Sequence, residues 1–182
     1  MTRIVQDLLT LSKIDYGKME MNISRFPFLK AVQNVYDAAK LNAEQNHHHT
    51  MTLTCDGPIP DVNGDRERIE QVITNIVSNA VKYTPEGSHI VLRAQKQDNM
   101  VAVSIADDGP GIPDEAKVHL FDMFYTVSQG KADNRRGLGL GLNLCRLIIT
   151  AHGGTIAVAD NYPHGAIFTF TLPLEEVNLP DV

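Results

Sequence analysis

The residue types best placed to do chemistry begin with Asp107, which closes the alternating run Val101-Ala-Val-Ser-Ile-Ala-Asp107 and precedes Asp108-Gly109-Pro110-Gly111-Ile112. The two-residue period of a strand puts Val101, Val103 and Ile105 on one face, and Asp107 keeps that parity. A carboxylate on a buried face is costly unless a donor meets it. A neutral donor such as an adenine amino group would suit it. Gly109 and Gly111 allow a tight turn and close approach of the backbone to a ligand. The same residues also read as a plain strand–turn–helix corner with Pro113 at the first helical position.

Two further groups carry polar chemistry. Gln71, Asn75, Asn79 and Lys82 recur at i, i+4, i+8 and i+11, a polar stripe roughly opposite the apolar face Ile69, Val72, Ile73, Ile76, Val77 and Ala80. Such a stripe can simply face water. Yet Asn is a poor helix former, and two of them one turn apart bring no benefit on a solvated face. An amide that ligates Mg²⁺ and a lysine that meets phosphate oxygens is the functional reading. Farther on, Gly137, Gly139 and Gly141 alternate at the opening of an apolar helix. Exposed N–H groups at a helix start bind anions. The spacing is GxGxG, which disfavours both the Rossmann turn and the P-loop. Close helix–sheet packing accounts for one such glycine better than for three.

These residues need elements to hold them. Asp65 is a suitable N-cap for a helix over 66–83, and residues 28–46 form another amphipathic helix through Leu29, Val32, Val35, Tyr36, Ala39 and Ala43. Short strands are expected at 50–54 and 61–63, and a β-hairpin at 90–97 and 100–106 turns on Asp98-Asn99. A short helix, a polar loop over 126–136, a helix over 138–152 and two strands near 155–159 and 166–171 complete the pattern. Helices interleaved with mostly antiparallel strands suggest helices on one face of a mixed sheet. Residues 2–20 read as one more helix, with Ile4, Val5, Leu8, Leu11 and Ile14 as an apolar stripe that needs a partner.

Composition narrows the classes. The 182 residues carry 16 Lys and Arg against 22 Asp and Glu, a net charge of −6, with 43% hydrophobic residues. That balance argues for a globular chain and against nucleic acid or acidic membrane as a general partner. No apolar run approaches the ~18 residues of a membrane span. Cys55 and Cys145 have no metal-type spacing. His47, His48 and His49 adjoin one another at a helix end, where three neighbours converge poorly on one ion, so the run is read as a solvated turn.

In their order along the chain, these elements resemble the ATP-binding catalytic domain of sensor histidine kinases, in the superfamily shared with gyrase B, Hsp90 and MutL. The N box is similar to Glu70-Gln-Val-Ile-Thr-Asn75-Ile-Val-Ser-Asn79-Ala-Val-Lys82-Tyr83-Thr84, and the first glycine box to Asp107 through Ile112. Phe121-Asp-Met-Phe124 resembles an F box and Gly137–Leu142 the second glycine box. His152-Gly153-Gly154 and the closing run from Gly165 to Pro173 also match. The resemblance covers about residues 25–173. It implies a two-layer α/β (α+β) sandwich of the Bergerat type, with a mixed, mostly antiparallel sheet and helices packed on one face.

For the site, the resemblance implies that Asp107 holds the adenine amino group and Asn79 ligates Mg²⁺. Asn75 and Lys82 act near the phosphates and Tyr83 lies beside the nucleotide. Gly109, Gly111, Ile112 and Phe124 would join Arg136, Gly137, Leu138, Gly139, Leu140, Gly141 and Leu142 around ATP. Residues 126–136 would form a lid, in which Arg135 and Arg136 are either solvated or in reach of the γ-phosphate or an acidic partner. Asn75 stands where the superfamily's ATPases place a glutamate base, so the implied reaction is transfer of the γ-phosphoryl group to a protein side chain.

The stretch 1–22 resembles the end of a dimerisation hairpin, leaving 23–174 as the ATP-binding domain and 175–182 as a tail. No histidine here has the acceptor context of that family, so the chain is read as a fragment of a longer, homodimeric sensor kinase. Its parent would lie in the bacterial inner membrane with this domain in the cytoplasm, and would hand the phosphoryl group to a response regulator. The wording from Phe124 to Gly139 is similar to the Kdp-type potassium or turgor sensors. The other readings kept open are a nucleotide-binding module without activity of its own, a gyrase/Hsp90/MutL-like ATPase and an anti-sigma-type serine kinase.

Overall fold

A computed structural model describes residues 5, 8, 9, 20–125, 127 and 141–174. In chain order the elements are β1 (Ser24–Phe26), α1 (Phe28–His47), β2 (Thr50–Asp56), β3 (Val62–Gly64), α2 (Arg66–Tyr83), β4 (His89–Gln97), β5 (Met100–Asp107), α3 (Asp114–Lys117), α4 (Gly141–Ala151), β6 (Ile156–Asp160) and β7 (Ala166–Pro173). The main sheet has the order β2-β4-β5-β7-β6. Its β2–β4 pair is parallel and the other pairs are antiparallel. The small β1–β3 pair stands apart.

Strict alternation in β7 turns Ala166, Phe168, Phe170 and Leu172 inward, and Val101, Val103 and Ile105 of β5 share that face. The helices cover it: α2 packs on α1, on α4 and on β5. Ile69, Ile73 and Ile76 from α2, Ile148 and Ile149 from α4, and Phe28 from α1 fill the core between the layers. Removing one such side chain, Ile73→Ala for instance, costs about 2–5 kcal/mol. The expected two-layer sandwich is the one observed.

Asp65 caps α2 as its sequence position suggests, with Oδ1 accepting from Arg68 N–H at 3.2 Å. Its other oxygen accepts from Asn22 N–H at 3.1 Å, which ties the chain entering β1 to the start of α2. The Asp65 N–H donates to His152 Nε2 at 2.9 Å, while His152 Nδ1 lies 2.7 Å from the Ile148 carbonyl. A carbonyl only accepts, so the proton sits on Nδ1, and one buried imidazole joins the end of α4 to the start of α2.

Two expectations are corrected. The stretch before Pro27 contains a strand, β1, which is absent from the elements the sequence predicts. His47–His49 is not a solvated turn: His49 is 2% exposed, and its ring lies 2.8 Å from both the His47 carbonyl and Thr84 Oγ1. His48 takes the left-handed conformation that caps α1 and swings the chain inward. Of the N-terminal helix, Val5, Leu8 and Leu9 are helical and exposed. The rest of 1–19, with Arg135 through Leu140 and residues 175–182, lies outside the described residues.

Candidate nucleotide site

Asp107 ends the central strand β5 with its side chain on the inner face, as parity requires. Asp107 as a residue is 8% exposed. Oδ1 accepts from Gly109 N–H at 2.9 Å and from Ala166 N–H at 3.3 Å. Oδ2 has no partner among the described residues. Burial pushes the Asp107 carboxyl above the usual carboxylate range, with the two N–H groups pulling the other way and Asp108 adding a small push upward. One oxygen is held and the other is left open as an acceptor, the arrangement an amino donor would complete.

The loop beyond it is shaped by contacts that leave no space for side chains. A Cβ at Gly109 would lie 2.7 Å from the Thr84 methyl, and Gly111 has φ of 77°. Thr84 follows directly on α2, so the end of that helix touches the glycine loop. Its hydroxyl donates to the Ala80 carbonyl at 2.7 Å and meets His49 on the other side. His49 and Thr84 are thus buried parts of the candidate site's wall, the first missed by sequence reasoning and the second seen there only as the last residue of the N box; the signal, a histidine two residues past a helix end, is too local to show its distant partner.

Along α2, Asn75 is 4% exposed, so the polar stripe does not all face water. Its Nδ2 makes a long contact of 3.5 Å with the Gly141 carbonyl at the start of α4. Asn79 and Lys82 are half-buried, and the Lys82 ammonium lies 5.0 Å from the centre of the exposed Tyr83 ring. Ile112 and Leu142 pack on the core, and Phe124 is exposed with φ of 63°. Asp107, Gly109 and Thr84 therefore form one contiguous group, and Asn75 and Gly141 a second, joined by α2. A groove of about 1430 Å³ between α1 and α2 takes in Asn75 and Lys82 but none of Asp107, Gly109 and Gly111. Arg136, Gly137, Leu138, Gly139 and Leu140 lie outside the described residues. Among the described residues, no group of three or more His, Cys, Asp or Glu could hold a metal ion, and no helix is long and apolar enough to cross a membrane.

Residues 64–176 match the family of histidine kinase-, DNA gyrase B- and HSP90-like ATPases, and the chain belongs to that family. Within it the chain is similar to sensor kinases: it is 33% identical to the sensor protein KdpD of Clostridium acetobutylicum over 95% of this chain and 19% of that one. To the sensor histidine kinase WalK of Bacillus subtilis it is 34% identical over 97% of this chain and 29% of that one. The chain thus spans less than a third of either protein. The catalytic domain of the histidine kinase ThkA superposes with a TM-score of 0.75 at 31% identity, over 85% of this chain and 97% of that domain. ThkA in complex with the response regulator TrrA also matches, with a TM-score of 0.75 at 27% identity, over 96% of this chain and 49% of that one.

Proposed function

We propose that this chain is the nucleotide-binding catalytic part of a two-component sensor histidine kinase. It binds Mg-ATP and presents the γ-phosphoryl group to a histidine of a dimerisation domain outside these residues. The acceptor nitrogen bonds to the γ-phosphorus as the bond to the β,γ-bridging oxygen breaks, and ADP leaves. Asp107 Oδ2 would accept from the adenine amino group. Asn79 would hold Mg²⁺ through its amide oxygen, and that ion supplies charge neutralisation at the phosphates. Lys82 would add a point charge there, and the backbone N–H groups near Gly141 would face the phosphates. Such transfer rests on positioning and charge stabilisation rather than on covalent chemistry by the protein.

The observation that carries this reading is the amide at position 75, buried beneath the start of α4 one turn before Asn79. A carboxylate there could take a proton from water; an amide cannot, which favours a protein side chain over water as the acceptor. The domain division at residues 22 and 174, the homodimeric parent, its placement in the bacterial inner membrane with this part in the cytoplasm, and relay to a response regulator belong to the same proposal. The ThkA–TrrA complex supports the last of these by analogy.

The test is radiolabel transfer from [γ-³²P]ATP to a separately added dimerisation hairpin, with free phosphate measured in parallel. Label on the hairpin histidine is the expected result. Rapid release of phosphate without labelled protein would replace the kinase with an ATPase. Binding without either reaction would leave a nucleotide-binding module.

A further inference from the structure

The turn between β6 and β7 is built onto the Asp107 loop. Asn161 Nδ2 donates to the Asp107 carbonyl at 2.8 Å, and the first amide of β7, Ala166 N–H, donates to Asp107 Oδ1. His164 Nδ1 lies 3.2 Å from the Gly109 carbonyl, so that nitrogen carries the proton and donates. Gly165 has φ of 115°, and a Cβ there would fall 1.9 Å from the Asp107 carbonyl oxygen. The turn is itself tied, since Asn161 N–H donates to the Gly165 carbonyl at 3.0 Å and Asn161 Oδ1 accepts from Tyr162 N–H at 3.0 Å. Thr84 closes the other side of the loop against Gly109.

A carboxylate with one oxygen held by two N–H groups cannot rotate about Cβ–Cγ without losing them, so the direction of Oδ2 is set by whatever fixes those groups. One of the two belongs to the turn. The main chain of Asp107 and Gly109 is pinned by two of the turn's side chains. Resting on the reading of Asp107 as the adenine acceptor, we propose that the β6–β7 turn sets base specificity. Asn161 and His164 are positioning residues that aim the open carboxylate oxygen at the exocyclic amino group of adenine. A 6-oxo purine places an acceptor where adenine places a donor, so the turn converts the aim of Oδ2 into a preference between bases.

Isothermal titration of the 182-residue chain with Mg-ADP and Mg-IDP tests this. Wild type is expected to bind ADP tighter by about tenfold or more, the scale of one hydrogen bond to a charged group. Asn161→Ala and His164→Ala should each shrink that ratio by about three- to tenfold, chiefly by weakening ADP. His164→Asn, whose amide can reach the same carbonyl, should restore it, and Tyr162→Ala, at a residue 87% exposed, should leave it unchanged. A wild type that prefers ADP while both alanine variants keep the full ratio overturns the role of the turn and leaves Asp107 as the reader. Equal loss of both nucleotides, with a lowered thermal midpoint, overturns it as well and makes the turn mere scaffold. Wild type binding ADP and IDP alike removes the Asp107 reading and the proposal with it.

Discussion

Asp65 and Asp107 are buried to nearly the same extent, 6% and 8% exposed, and each stands where a strand or turn hands over to the next element. Their oxygens are used differently. Asp65 accepts one backbone N–H on each oxygen, from Arg68 and from Asn22. Asp107 accepts both of its N–H groups on Oδ1. Among the described residues each oxygen of Asp65 has a donor, whereas Oδ2 of Asp107 has none. Burial therefore does not separate the capping carboxylate from the one proposed to meet adenine; the distribution of filled lone pairs does.

The sharpest way to break this comparison is Asp107→Asn. The two N–H groups require the amide oxygen at the Oδ1 position, which leaves an NH₂ where Oδ2 was and sets donor against donor. ADP affinity should fall by about ten- to a hundredfold, and the preference should turn toward IDP, whose carbonyl suits an NH₂. The thermal midpoint should hold or rise, because a desolvated charge is gone. Titration and melting of the same preparation check both. Asp65→Ala should do the reverse: stability falls by about 0.5–2 kcal/mol for the lost cap, more with Asn22 N–H left unpaired, and the ADP dissociation constant stays put.

A pH series sharpens the contrast further. The folded Asp107 carboxyl titrates above its ordinary value, so the folded state binds more protons than the unfolded one between those two points. Its contribution to stability is therefore most favourable below the ordinary value and is lost as pH rises through the folded one. Nucleotide binding runs the other way: ADP needs the ionised acceptor, and affinity should decline as pH falls through the folded value. Asp107→Asn should flatten both dependences. The smallest effect is expected at His49→Ala. Thr84 would keep its bond to Ala80 and lose the imidazole, costing about 1 kcal/mol in denaturant melts and less than threefold in ADP affinity.

Much of this was legible in the residues. Asp65 as a cap and α2 from 66 to 83 emerged as expected, because capping and the helical period are local. Asp107 facing inward followed from parity along a single strand. What escaped was every contact between segments distant in sequence. β1 is three residues whose only reason to be a strand is its pairing with β3. His49 meets Thr84 across 35 positions, Asn161 meets Asp107 across 54, and His152 meets Asp65 across 87. The His47–His49 run misled because polarity suggested water, whereas the left-handed cap at His48 turned the third ring inward.

By itself the sequence determined the helices, the hairpin, the order of the boxes and the chemical types available: a carboxylate at a strand end, amides along α2, glycines where backbone must come close. These follow from period, capping and steric room, each decided within a few residues. The tertiary structure alone decided which polar groups are already satisfied. A hydrogen bond between remote segments leaves no periodic mark on the chain. Only the packed fold shows that, among the described residues, Asp65 has spent both oxygens while Asp107 has kept one.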